Sequence, residues 1–487
     1  MKRFYLLTAL FALTAAGCVK VDLVDISTLP LPENLTVEQT DYTLGAFEKR
    51  TATAAFSAKG DWTLSIVYDD AEAGDETDAD AAWLTADAAG GAAGEQSLGM
   101  SAARNFQAAP RTAYVDLVCG EQTVRLTVTQ TGLSDDMDFS ALFDETFAQK
   151  LQERDIVADA EKITMQEIQS MAIMTELDIS GTYDNPGSLT SLRGIEYFEA
   201  LTKLNCNRNS LPELDVRANT VLTELRCQNN SLTELDVSQN TKLTTLVCDF
   251  NSLTELDVRA NTALTELWCQ NNSLTELDVS QNTELMYLIC NNNHLALLDV
   301  SQNTELKELC CPGNQLTEVD VSKNTKLTKL SCGFNQLTEL DVSQNTKLTQ
   351  LLCTSNSLES LDVSANTALT ELWCQNNSLT ELDVSKNTKL TRLLCDSNSL
   401  TSLDVSQNTK LTRLLCTSNS LESLDVSANT ALMSLRCEGN PGDGNSVFPL
   451  TVWGDQAEKP GSLNVLQPSW RYNDKYITIQ YQTAPGE

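Results

Sequence analysis

The sequence predicts a mainly β chain, a small sandwich followed by a solenoid built on two parallel sheets. Three observations predict it. Twelve cysteines, Cys206, Cys227, Cys248, Cys269, Cys290, Cys311, Cys332, Cys353, Cys374, Cys395, Cys416 and Cys437, recur every 21 residues, and a fixed period near twenty without insertions marks coils that bury apolar surface only against their neighbours. Each period divides into two similar half-turns, L-x-x-L-x-C-x-x-N and L-x-x-L-D-V-x-x-N. Ahead of the repeats lie short runs of alternating polarity separated by turn residues.

In each half-turn the second Leu and the Cys or Val are two apart, so both face one side of a strand. A core of Leu, Cys and Val follows, with one strand per half-turn stacked into a sheet. The Asn after each strand, such as Asn230 and Asn240, falls where the chain turns, and an inward amide there satisfies backbone groups left unpaired. The connecting S-x-N-T-x is too short for a helix.

The repeat, as in Leu243-Thr-Thr-Leu246-Val-Cys248, Asn251 and Leu256-Asp257-Val258, resembles the bacterial leucine-rich repeat of the 21-residue class. The resemblance covers about half the chain, residues 201–440. It implies a scaffold that binds proteins or glycans through its strand surface.

With 487 residues, several domains are expected. A net charge of −34 excludes nucleic acid and adsorption to anionic membranes, because phosphate binding requires a basic surface. The cysteine column belongs to reduced, buried thiols: stacked coils hold equivalent Cβ atoms about 4.8 Å apart, wider than the ~3.8 Å of a disulfide. Zinc is disfavoured, since no C-x-x-C pair occurs and one straight column cannot supply tetrahedral ligands.

Residues 1–18 read as a signal segment: Lys2 and Arg3, an apolar run from Phe4 to Leu13, then Ala15-Ala16-Gly17-Cys18. The Gly-Cys ending resembles a lipoprotein processing site, which implies lipidation of Cys18 and anchorage in a bacterial outer membrane. Ordinary cleavage nearby is the alternative, and the run is far shorter than the ~20 residues of a membrane span. A tether occupies 19–32. Strands are expected at Phe56–Ala58, Trp62–Val67, Ala113–Val118 and Val124–Val128, within a sandwich over 33–132. Here Trp62, Trp83-Leu84-Thr85, Arg104-Asn105, Arg111 and Val128-Thr129-Gln130-Thr131-Gly132 resemble a BACON domain, an immunoglobulin-like sandwich for which carbohydrate binding has been proposed. Core packing is the expected role of Trp62 and Trp83, with sugar stacking as the alternative. The acidic insertion from Asp69 to Asp80 reads as a solvated loop.

A cap with short helices is expected over 133–200, its helical spacing running from Phe143 to Ile168. Asp155 to Glu167 faintly matches a calcium loop, but Ala160 stands where glycine is required and Ile163 is out of register, so no metal is expected. Residues 441–487, with Trp453, Trp470, Tyr472, Tyr476 and Tyr481, read as strands closing the last coil.

Catalysis has little to work with. His294 is the one histidine, the repeat carboxylates form uniform columns without a cleft, and no phosphate loop or dinucleotide fingerprint occurs. A non-enzyme without cofactor is expected. The Asp column from Asp215 to Asp425 should face solvent on the second sheet, in preference to holding calcium.

The first sheet differs. The residue before each repeat cysteine points outward, and through nine coils it reads Val247, Trp268, Ile289, Cys310, Ser331, Leu352, Trp373, Leu394 and Leu415, bounded by Arg226 and Arg436. Tyr287 lies one outward place away, while Phe250 and Phe334 lie at strand exits. Such an apolar stripe marks an interaction site. It is read as the binding face for an extracellular protein, with homodimerisation as the self-burial alternative and glycan capture by the sandwich domain as the second functional reading.

Overall fold

The computed structural model describes residues 34–453 apart from 47–48, 70–81, 106–108, 134–136, 185, 443–447 and 449. Beyond 453 it describes only backbone strands at 464–465, 471–472, 475–476 and 479–482. The signal segment, Cys18, the tether, most of the acidic insertion and the side chains of Trp470, Tyr472, Tyr476 and Tyr481 lie outside the described residues. The chain divides into two compact units, residues 1–137 and 138–487.

The first unit is a sandwich. Strands β1 (Leu35–Val37), β2 (Asp41–Leu44), β3 (Thr51–Ala58), β4 (Trp62–Tyr68), β5 (Leu84–Ala86), β6 (Gly90–Gly91), β7 (Gly94–Ala102), β8 (Arg111–Cys119) and β9 (Gln122–Gln130) form sheets ordered β1-β3-β7-β5 and β2-β9-β8-β4-β6. Alternation along β8, where Ala113, Val115 and Leu117 are fully buried, supplies one inner face. Trp62 packs edge-on to Phe56 at 4.9 Å. The Arg111 guanidinium lies 4.5 Å over the Trp83 ring and donates to Gln130 Oε1 at 2.8 Å. Gln130 in turn donates to Gly45 O at 3.0 Å and Ala103 O at 2.8 Å. Both tryptophans are therefore core residues, and the Trp83–Arg111–Gln130 chain ties strand ends together.

The second unit opens with a cap. Helix α1 (Glu145–Glu153) starts at Asp144, whose side chain accepts from Thr146 N and Phe147 N. Helix α2 (Met165–Ala172) starts with a Thr164–Glu167 capping box. Glu167, the last residue of the calcium-like spacing, also accepts from Ala158 N at 2.6 Å. Phe143, Phe147 and Phe198 are buried over the first coil.

From there one parallel sheet of fourteen strands runs from Glu176–Asp178 through all twelve coils to Asn464–Val465. Every repeat Leu of the strand and every repeat cysteine has at most 1% exposure. Two Asn ladders bolt coil to coil. Asn272 Nδ2 donates to Cys248 O and Cys269 O at 3.1 Å, and its Oδ1 accepts from Leu253 N at 3.0 Å. Asn282, on the other ladder, donates to Val258 O at 2.9 Å and Asn261 O at 2.8 Å. Three backbone groups from adjacent coils thus depend on a single first-ladder amide.

The expected second sheet does not form as a ladder. The Leu-Asp-Val segments form no ladder across the coils, except that Leu424–Asp425 pairs with Leu450–Trp453, which pairs with Ile479–Gln482. Each Asp carboxylate on this face takes the N–H two residues on, as Ser280 N gives to Asp278 Oδ1 at 2.9 Å, in an Asx turn. The strands that do form on this face close the last coil.

Candidate functional site

Register places the stripe on a single row. Arg226, Val247, Trp268, Ile289 and Cys310 are successive Cα partners, as are Ser331, Leu352, Trp373, Leu394, Leu415 and Arg436. Trp268 is 39% exposed, while Tyr287, Ile289, Leu352, Trp373, Leu394 and Leu415 are half-buried.

Two members depart from expectation. Val247 is only 2% exposed: it is a short side chain standing in register between Arg226 and Trp268. Cys310, expected to be the exposed repeat cysteine, is 8% exposed. Its thiol points at Glu308 Oε1, 3.3 Å away, beside the Lys329–Glu308 ion pair at 2.6 Å. Burial pushes this thiol up to about 12.

Phe250 and Phe334 are not on the strand face. They occupy the second residue after the repeat cysteine, where the chain turns with φ of 52° and 53°. Down the coils that column reads Arg208, Asn229, Phe250, Asn271, Asn292, Gly313, Phe334, Ser355, Asn376, Ser397, Ser418 and Gly439, all left-handed. Asn and Gly tolerate this region, whereas a side chain without local polar compensation carries about 1–2 kcal/mol of strain. The two phenylalanines are 52% and 62% exposed. The column's Asn and Gly content was the available sign of this turn edge.

One residue earlier, Asp249 is 6% exposed and its Oδ1 has no hydrogen-bond partner. Burial raises its carboxyl to about 6, against a smaller opposing pull from Arg208. Sequence reasoning missed it because its column is mixed, with Gln228 and Gln270 on either side and Asp396 and Glu438 further on, so nothing in the pattern marks one carboxylate as buried.

The Asp column faces outward as expected. Arg259 pairs with Asp257 at 2.7 Å and holds that carboxyl down at about 2. With the Glu residues two positions earlier, this column lines a groove of about 1720 Å³ along the early coils, from Glu213 to Asp299 and up to Arg193. His294 is exposed.

The functional domain of InlJ from Listeria monocytogenes, whose structure includes a cysteine ladder, is 36% identical, with a TM-score of 0.58 over 71% of this chain and 76% of that one. The chain belongs to the internalin-type leucine-rich-repeat proteins. An internalin (inlF) from Listeria monocytogenes strain 4b F2365 shares the fold at 22% identity, with a TM-score of 0.58 over 67% of this chain and 96% of that one. A family model described as a viral BACON domain matches residues 34–133. No curated protein sequence matches the chain.

The cysteine column of this chain is buried along the whole repeat domain. Burial raises every repeat thiol, Cys206, Cys269 and Cys353 to about 12 and Cys227 and Cys395 well above the ordinary value.

Proposed function

We propose that this internalin-type protein is a non-enzymatic surface protein that captures an extracellular protein through the strand face of its repeats. The observation that carries the reading is the continuous row from Trp268 to Leu415, apolar but for Ser331 on a chain of net charge −34, with Trp268 standing exposed in it. Trp268 and Trp373 are five coils apart, about 24 Å at the strand spacing, which suits a protein-sized or extended ligand. Aromatic anchors on a rigid sheet carry binding energy with little ordering cost.

Anchorage through a lipidated Cys18, and so outer-membrane display, belongs to the same reading. Labelling with radioactive palmitate should mark the wild-type chain and not Cys18→Ala. Glycan capture by the sandwich domain is the weaker reading, since Trp62 and Trp83 are both core residues. Self-association through the row is the alternative for the repeats, and sedimentation at micromolar concentration separates it from capture of another protein.

The direct test places a photoreactive benzophenone residue at Ile289 and, separately, at Asp278, then irradiates with purified extracellular-matrix and serum proteins. A product from position 289 alone supports the strand face. A product from 278 alone refutes it.

A further inference from the structure

The turn edge carries a second surface, independent of the strand face. Phe250 and Phe334 are large, apolar and exposed at positions where Asn, Gly or Ser serves the backbone better, so neither folding nor solubility accounts for them. They lie four coils apart, about 19 Å. Between them the left-handed positions are Asn271, Asn292 and Gly313. Asn292 Nδ2 donates to Asn271 Oδ1 at 2.9 Å. A Cβ on Gly313 would stand 2.4 Å from Asn292 Oδ1, so the missing side chain leaves room for that amide. Two residues further on, the same coils present Ser273, His294 and Gln315.

This is a low floor of amides and hydroxyls between two aromatic rims. On a strongly acidic chain none of these positions is a carboxylate, and Asp249, next to Phe250 in the chain, is buried. A protein partner seated here would cover the amides with apolar surface and leave them unpaired, which is costly. It would also find two isolated rings in place of a packed apolar centre. A neutral saccharide chain reverses both objections: hydroxyls satisfy the amides while C–H faces stack on the rings. The coils repeat their groups every ~4.8 Å, which suits a ligand that is itself a repeating polymer. We infer that the turn edge between Phe250 and Phe334 is a binding site for an extended, uncharged oligosaccharide lying along the solenoid axis.

The test is calorimetric titration of the full chain with cellohexaose, xylohexaose, mannohexaose, maltohexaose and a β-1,4-galactan oligomer, with a heparin hexasaccharide as the charged arm. At least one neutral saccharide should bind, and heparin should not. The variant Phe250→Asn/Phe334→Asn should lose binding by about tenfold or more, while its thermal midpoint rises by a few degrees as backbone strain is relieved. Trp268→Ala/Trp373→Ala should leave saccharide binding unchanged, which separates this site from the strand face. The inference is overturned if no neutral saccharide binds or if the Asn variant binds as well as wild type. A fall in its midpoint would also overturn it, because the phenylalanines would then be structural.

Discussion

Trp268 and Trp373 share one row of the sheet, yet Trp268 is 39% exposed and Trp373 is half-buried, with its indole N–H enclosed and without a hydrogen-bond partner. An enclosed donor left unpaired costs about 1–3 kcal/mol. Trp373→Phe, which removes only that donor and a ring, should therefore be neutral or mildly stabilising in urea denaturation. Trp268→Ala should shift stability by less than about 1 kcal/mol, because no cavity forms. A loss above that would mean Trp268 is packed against something.

Asp249 should make stability depend on pH. Its folded carboxyl sits at about 6, above the unfolded value of 3.8. Its contribution is therefore fully present below pH 3.8 and is lost as pH rises through 6. Asp249→Asn should stabilise the protein at pH 7, on the order of 2–3 kcal/mol, and the gain should vanish near pH 4. Arg259→Ala, which removes the exposed partner of Asp257, should cost no more than about 1 kcal/mol. Denaturant melts at pH 4 and pH 7 check both.

All thirteen cysteines of the repeats, Cys310 included, should resist iodoacetamide in the native state at pH 8. They are buried, and burial raises each thiol, while the thiolate is the reacting form. Mass spectrometry after brief labelling should find them unmodified until denaturant is added. Rapid native labelling of Cys310 would show that the Lys329–Glu308 pair does not shield it.

Leu330→Ala should cost about 2–5 kcal/mol, since Leu330 is fully buried in a middle coil. Hydrogen exchange should show the damage spreading to the coils on either side, because each coil is stabilised by its neighbours. Gln350→Ala, on the outward side of the next strand, should change little. Equal effects from the two would contradict the inward and outward assignment of the strand.

The repeat was legible because its physics is local: period 21 sets the coil, a spacing of two sets which side faces in, and a fixed Asn marks each turn. The cap helices were legible from the spacing between Phe143 and Ile168. The second sheet was misread because a spacing of two sets which way Leu, Asp and Val face but not whether neighbouring segments pair: Leu235 and Val237 turn inward as read, yet no ladder joins these segments across the middle coils. At the candidate site, sequence gave the side of Val247 and Cys310 but not the height of their neighbours, which decides exposure. Phe250 and Phe334 were seen as exposed aromatics, but their separation from the strand face follows from backbone dihedrals that only the whole column of Asn, Ser and Gly betrays.

The most direct measurement of the central claim is surface plasmon resonance of immobilised full-length chain against the matrix protein that crosslinks at position 289. Trp268→Ala/Trp373→Ala is compared with Asp278→Ala/Asp383→Ala. Capture on the strand face predicts that the Trp variant loses binding by about a hundredfold, some 3 kcal/mol, while the Asp variant matches wild type. Retained binding by the Trp variant together with loss in the Asp variant would contradict it and place the functional surface on the acidic side of the solenoid.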